Sequence, residues 1–164
     1  MQQSELDGVD RNFYAFRSEW VLASPVDDVY VALAQLVEYP SWWPEVRSVR
    51  QVSPETFELL CRSLLPYDLA FSSRQTRKDP AARVLEAALA GDLAGFSRWT
   101  LTGRAEGTLA VFEEEVTAEK ALLRRMGRVA RPAFQANHAL MMRHGRQGLR
   151  TFLAGLRLGR SAEE

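Results

Sequence analysis

The middle of the chain carries a hydrophobic repeat of about two residues, and this feature constrains the fold more than any other. Residues 46–117 contain six short segments in which apolar and polar side chains alternate, with turn-forming residues between them. Such alternation predicts β-strands, because successive side chains of a strand point to opposite faces of a sheet. The predicted strands are residues 46–52, 56–63, 69–77, 83–90, 93–102 and 108–117. Consecutive strands joined by short turns predict an antiparallel sheet.

Segments on both sides of this region complete the predicted architecture. Residues 12–23 read as a further strand, and the helix that follows it must end before Pro40. Helical spacing returns near the end of the chain and predicts a long helix over residues 133–158. Its compact or apolar stripe contains Phe134, His138, Met141, Gly145, Leu149, Phe152 and Leu156. Separated strands and helices indicate an α+β fold in which the long helix covers the sheet.

Length and charge limit the classes of protein that fit this pattern. The chain has 164 residues, which fits one domain, and its 21 Lys and Arg equal its 21 Asp and Glu. The absence of a basic excess argues against nucleic acid as the main partner. No apolar run reaches the length of about 20 residues that a membrane span needs. The polar N-terminus is unlike a signal peptide, so we expect a cytoplasmic protein. We expect a flexible arm at residues 1–11, a single domain at 12–158 and a tail at 159–164.

Metal and cofactor signals are missing from the sequence. It has one cysteine, Cys61, and two histidines, His138 and His144, with no spacing typical of a metal site. No glycine-rich phosphate loop stands between a strand and a helix. The sequence therefore predicts neither a metal nor a cofactor.

An aromatic corner interrupts the chain after the first helix. The stretch Glu-Tyr-Pro-Ser-Trp-Trp-Pro-Glu-Val places Trp42 and Trp43 between two prolines. Proline excludes a continuous helix across this stretch, so the two rings lie at a rigid bend. Each tryptophan either plugs the core beside the bend or faces a pocket.

Five segments, in this order, resemble the polyketide cyclase/dehydrase branch of the START-related, Bet v 1-like superfamily. They are FRSEWVLASPVDDVYVAL, YPSWWPEV, LPYDLAF, GDLAGFSRWTL and NHALMMRHGRQGL, and the resemblance covers roughly residues 13–153. The resemblance implies a helix-grip fold: a curved seven-stranded antiparallel sheet around the C-terminal helix, with two short helices after the first strand. It also implies a cavity between sheet and helix.

The resemblance implies two functions, and the residues leave a third one open. The first is binding of a small hydrophobic ligand, such as a lipid, a polyketide-like molecule or an isoprenoid. The second is a cyclase, aromatase or dehydratase reaction in the same cavity. The third is an interaction module that contacts a protein or a membrane surface, for which a run of arginines before the last helix is the candidate: Arg124, Arg125, Arg128 and Arg131. A homodimer also remains open.

Candidate cavity residues come from the apolar faces of these elements. The resemblance and the periodicity together indicate, as lining or adjoining core, Trp20, Trp42, Trp43, Phe71, Trp99, Phe112, Phe134 and Met141. Asn137 and His138 form the best polar pair, in the first half of the long helix. His138 is expected either to bind or protonate a ligand, or to brace the adjacent loop by hydrogen bonding.

Glu114 and Tyr67 complete the candidate catalytic set. Glu114 is the middle of three successive glutamates, which cannot all point the same way in a strand. It is either a buried acid in the cavity or a solvent-exposed carboxylate, and Tyr67 could reach the cavity mouth. Three mid-strand arginines either meet Glu114 or lie on the outer face: Arg62, Arg74 and Arg98. Gly145 and Gly148 inside the long helix predict a close contact with the sheet.

Overall fold

A computed structural model describes residues 12–62, 64, 65, 67–119, 121, 124 and 127–164. The arm predicted at residues 1–11 lies outside the described residues.

Seven antiparallel strands form one sheet, in agreement with the periodicity. They are β1 (Phe13–Leu22), β2 (Val46–Gln51), β3 (Thr56–Cys61), β4 (Leu69–Asp79), β5 (Val84–Gly91), β6 (Leu93–Arg104) and β7 (Gly107–Ala118). Their order across the sheet is β1-β7-β6-β5-β4-β3-β2, so the last six strands form a meander. The first strand pairs with the last, so the segment between β1 and β2 connects the two edges of the sheet.

The helices comprise two short ones after β1 and a long one at the C-terminus, as the resemblance implied. They are α1 (Val26–Ala34), α2 (Tyr39–Trp42) and α3 (Ala130–Ala162), with 3₁₀ turns at Leu36–Glu38 and Gly127–Val129. Helix α3 is longer than predicted at both ends. Pro132 lies in its first turn, where a missing N–H leaves no helical hydrogen bond unmade. Its C-terminal end carries an ion pair of 2.9 Å between Arg160 and Asp28 of α1, so most of the expected tail is helical.

Helix α3 lies across the inner face of the sheet and buries one side of itself. Its buried residues are Ala130, Phe134, Asn137, Met142, Gly145, Leu149 and Leu153. The predicted stripe is wrong at its end, because Leu156 is 48% exposed. On the sheet, β7 alternates as expected, since Phe112, Glu114 and Val116 are buried.

The Trp-Trp corner packs directly on helix α3. The indole Nε1 of Trp43 donates a hydrogen bond of 2.8 Å to the carbonyl oxygen of Met141. A Cβ atom added at Gly145 would lie 2.5 Å from Cε2 of Trp43, and one added at Gly148 would lie 1.7 Å from the carbonyl oxygen of Trp42. The close contact predicted for the two glycines is therefore present, but its partner is the corner and not the sheet.

Candidate functional site

A cavity of about 170 Å³ lies between the inner face of the sheet and helix α3. Its walls are mainly aromatic and aliphatic, and they come from the strands, the short helices and the corner. Some of the lining side chains are polar. Those on which its chemistry depends are Tyr14, Glu114, Asn137 and His138.

Small side chains in the middle of the sheet explain why this space is empty. One row of residues in register crosses five neighbouring strands and lines the cavity: Phe16, Glu114, Ser97, Ala87 and Gln75. The next row along the strands places Trp99 beside Leu85. Because Ser97 and Ala87 project far less from the sheet than these neighbours, the row leaves a depression beneath the helix.

Glu114 and His138 face each other inside this space. Oε2 of Glu114 on β7 lies 3.4 Å from Nε2 of His138 on α3. The alignment is too poor for a hydrogen bond, so the buried Nε2 has no hydrogen-bond partner among the described residues. The imidazole ring stacks on Phe16, with ring centres 3.8 Å apart and planes at 6°. A carboxylate and an imidazole held this way can bind a polar group of a ligand or exchange a proton with it.

The strand register decides which of the three glutamates enters the cavity. Glu114 is 8% exposed, while Glu115 is exposed and points to the other face. Glu114 pairs in register with Phe16 of β1, which places the carboxyl group beside the stacked rings of Phe16 and His138. The interpretation of Glu114 as a cavity residue agrees with this placement.

Asn137 performs the bracing role that the sequence left open for His138. Its Oδ1 accepts a hydrogen bond of 3.0 Å from the backbone N–H of Leu64, and its Nδ2 lies 3.4 Å from Sδ of Met141. Leu64 belongs to the loop between β3 and β4. Asn137 therefore fixes that loop to the helix, while Nε2 of His138 faces Glu114 and makes no hydrogen bond among the described residues.

Most of the apolar residues predicted as lining do surround the cavity, and three predicted site residues do not. Those in the walls are Trp43, Phe71, Trp99, Phe112, Phe134 and Met141. Trp20 lies behind Trp43 and Trp99, at ring-centre distances of 5.6 and 4.8 Å. The ring of Trp42 stacks on that of Trp43, with centres 5.4 Å apart, and does not line the cavity. Tyr67 packs against the core from the β3–β4 loop, outside the cavity wall.

The candidate arginines have partners elsewhere. Arg98 binds Glu86 at 2.8 Å and Arg62 lies 3.7 Å from Asp68, while Arg74 is exposed. In the part of the chain that the structure describes, His138 is the only basic side chain that meets Glu114. Of the arginines predicted for an interaction surface, Arg131 donates to the carbonyl of Phe13 at 3.0 Å. Arg125 lies outside the described residues.

Two wall residues escaped the sequence analysis although a signal for them was present. Tyr14 and Phe16 occupy the same face of β1 as Trp20, by simple alternation. Tyr39 also lines the cavity, and its hydroxyl donates a hydrogen bond of 2.6 Å to the carbonyl of Leu33. Burial raises the pKa of Tyr39 well above its usual value.

On the other side of the corner, the buried carboxylate of Glu45 contacts Nδ1 of His144.

We expect the buried thiol of Cys61 to make the protein less stable in alkaline solution. Burial, with smaller contributions from Glu114 and Glu45, raises its pKa from 9.0 to about 12. The unfolded chain then binds fewer protons than the folded chain between these values, so stability is complete below pH 9 and falls as pH rises toward 12. Urea unfolding should show a free energy of unfolding that declines with pH in this window, with this thiol contributing at most about 1 kcal/mol per pH unit.

The Cys61→Ala variant isolates this contribution from those of the tyrosines. Its free energy of unfolding should fall less steeply between pH 9 and 11 than that of the unmodified protein. Parallel curves for the two proteins would show that the thiol ionises equally well in the folded and unfolded states.

The described residues contain no group of three or more His, Cys, Asp or Glu side chains arranged to hold a metal ion. No described helix combines the length and the hydropathy needed to cross a membrane.

Solved structures with the same architecture have low sequence identity to this chain. The Zhui aromatase/cyclase from Streptomyces sp. R1128 is 15% identical, with a TM-score of 0.71 over 87% of this chain and 94% of that one. TTHA0849 from Thermus thermophilus is 16% identical, with a TM-score of 0.76 over 87% and 99%. A START superfamily protein from Mycobacterium smegmatis is 14% identical, with a TM-score of 0.67 over 88% and 98%. At these identities the likeness establishes the fold alone.

Sequence comparison gives the family. None of the curated proteins matches the chain significantly. The family model described as "Polyketide cyclase / dehydrase and lipid transport" matches residues 22–139, which is more than half of the chain. This range includes the corner, strands β2 to β7 and the Glu114–His138 pair. The chain therefore belongs to the polyketide cyclase/dehydrase and lipid transport family.

Proposed function

We propose that the protein binds a small hydrophobic ligand, such as a polyketide-like molecule, an isoprenoid or a lipid, in the cavity beneath α3. The observation that carries this proposal is an apolar space with an unsatisfied nitrogen beside a carboxyl group. Apolar walls supply affinity by removing ligand surface from water, and a few polar groups fix its orientation. The polar position here is Nε2 of His138 beside Glu114.

The size of the cavity favours the smaller members of this ligand class. An engineered apolar cavity of about 150 Å³ binds benzene. The cavity described here is about 170 Å³, so a ligand with one ring, or a short branched chain, fits without any movement. A lipid with two acyl chains would require the helix and the sheet to separate.

Tryptophan fluorescence provides a direct test, because Trp43 and Trp99 both line the cavity. Titration with ethylbenzene, an uncharged one-ring probe, should give a saturable change in emission at one site per chain. Native mass spectrometry of gently purified protein should show the same stoichiometry. Emission that does not saturate, together with no bound mass, would contradict the proposal.

A second candidate function is supported by the Glu114–His138 pair itself. In a poly-β-keto substrate, the carboxylate can take a proton from a carbon between two carbonyl groups. The resulting enolate carbon forms a bond with the carbon of another carbonyl group farther along the same chain. The oxygen of that group receives a proton from His138. Closing the ring in this way is an isomerisation, and loss of one water in a later step gives the dehydrated ring. The cavity would contribute by holding the chain in a folded geometry.

This enzymatic alternative is tested with a reactive poly-β-keto substrate and two variants. If the pair transfers protons, Glu114→Gln and His138→Ala should each change the ratio of cyclised products relative to the spontaneous reaction. The pH profile of the Glu114→Gln variant should also differ from that of the unmodified protein. Identical product profiles for all three proteins would leave only the binding function.

A further inference from the structure

A second unsatisfied polar group lies in the same cavity. Tyr14 is 1% exposed and lines the wall, yet its hydroxyl makes no hydrogen bond within the described part of the chain. A buried hydroxyl without a partner is unfavourable, and native proteins seldom leave one empty without a reason. Tyr14 was not among the residues predicted from the sequence, and the proposed function makes no use of it.

The two unsatisfied positions belong to one layered aromatic wall. The rings of Tyr14 and Phe16 are stacked with centres 5.8 Å apart, and Phe16 is in turn stacked on His138. On the helix, Phe134 and His138 are four residues apart and so lie on one face. Phe134 contacts the ring of Tyr14 at 5.3 Å. Phe16 therefore lies between the ring of Tyr14 and the imidazole of His138 in one series of stacked rings.

We propose that the ligand is a planar ring compound with a hydrogen-bond acceptor toward Tyr14 and a hydroxyl group toward Glu114 and His138. This inference rests on the proposed binding function. A hydroxyaryl ketone is the simplest chemical class that meets both requirements. Its ring lies along the aromatic wall, its carbonyl oxygen accepts the proton of Tyr14, and its hydroxyl donates to the Glu114 carboxylate or to Nε2 of His138.

The ionisation of Tyr14 agrees with this assignment of donor and acceptor. Burial raises the pKa of its phenol, and the nearby Arg131 only partly opposes that effect. Tyr14 therefore remains protonated throughout the neutral range and is available as a donor. A neutral carbonyl oxygen is the acceptor that suits an apolar wall, since a second buried charge would carry a large desolvation penalty.

Four matched probes separate the two polar positions. They are 4-hydroxyacetophenone, 4-ethylphenol, acetophenone and ethylbenzene, which differ only in the presence of the hydroxyl and carbonyl groups. In the unmodified protein, the carbonyl should tighten binding three- to tenfold for each pair, or about 0.6–1.4 kcal/mol, which is the net contribution of one well-placed hydrogen bond. In Tyr14→Phe this gain should disappear, while the gain from the hydroxyl should remain.

Tyr30→Phe is the matched control. Tyr30 also has a buried hydroxyl without a hydrogen-bond partner among the described residues, but it does not line the cavity. All four affinities should be unchanged in this variant. If Tyr14 has no structural partner, Tyr14→Phe should also unfold at the same urea concentration as the unmodified protein, or at a higher one.

The outcomes distinguish this inference from the function on which it depends. If none of the four probes binds the unmodified protein, the binding function itself is wrong. If ethylbenzene binds but the carbonyl gives no gain, or gives the same gain in Tyr14→Phe, only the inference is overturned. Loss of stability in Tyr14→Phe would also overturn it, because the hydroxyl would then have a structural role.

Discussion

Replacing Gly148 with alanine is expected to lower the free energy of unfolding by about 2 kcal/mol. The added Cβ would lie 1.7 Å from the carbonyl oxygen of Trp42, which belongs to the backbone and cannot rotate away. Helix α3 and the corner would have to separate, and overpacking of this kind costs about 1–3 kcal/mol or more. The loss should exceed the gain of about 1 kcal/mol in helical propensity. Urea unfolding followed by circular dichroism measures the difference.

Gly155→Ala is the matched control, because it makes the same change in the same helix. No atom lies within 4 Å of the Cβ position at Gly155. This variant should be more stable than the unmodified protein by up to about 1 kcal/mol, from helical propensity alone. If Gly148→Ala is also stabilising, the contact between the corner and α3 is looser than described. Packing against the corner would then not explain why glycine occupies positions 145 and 148.

The fold was accessible from the sequence because its signals are local. Alternation in residues 46–117 reflects a sheet with one buried and one exposed face, and each strand carries that signal by itself. The corner was also recognisable, because prolines on both sides of Trp42 and Trp43 exclude helix wherever the chain is placed. What the chain alone did not show is that the corner packs on Gly145 and Gly148, which lie far along the chain from it. That contact depends on how the long helix lies on the sheet.

The cavity residues could be predicted only in part from the sequence, because a cavity forms where side chains do not meet. Trp20 and Trp99 share a buried face pattern, but only Trp99 borders the empty space, because Trp20 lies behind it and behind Trp43. No local pattern separates these two roles. Trp42 illustrates the same limit, because the bend alone does not say which of two adjacent rings faces inward.

The polar positions depended on register and helix placement together. Alternation already placed Glu114 on the face of Phe112 and Val116, and the structure agrees. Its partner His138 could not be assigned, because the distance between them depends on where α3 crosses β7. Tyr14 shared the face of Trp20 in β1. Its hydroxyl is identified as a candidate binding group only because it has no hydrogen-bond partner among the described residues. Such an absence becomes visible only in three dimensions.

Replacing Ala87 with phenylalanine is expected to weaken binding of ethylbenzene at least about 100-fold, or about 2.7 kcal/mol. Ala87 and Ser97 are in register and form the low floor of the cavity between larger neighbours. A phenyl group is close to the size that a cavity of about 150 Å³ accepts, so the new side chain should occupy the ligand's place. Filling an existing void should leave the free energy of unfolding unchanged or raise it slightly.

Ala90→Phe is the control for this change, because Ala90 is exposed at the end of the same strand. Its affinity for the probe should equal that of the unmodified protein. Ala87→Leu, with a smaller side chain, should give an intermediate affinity and guards against strain in the phenylalanine variant. A folded Ala87→Phe protein that still binds ethylbenzene with full affinity would place the ligand elsewhere on the molecule. The empty floor between sheet and helix would then have no part in binding.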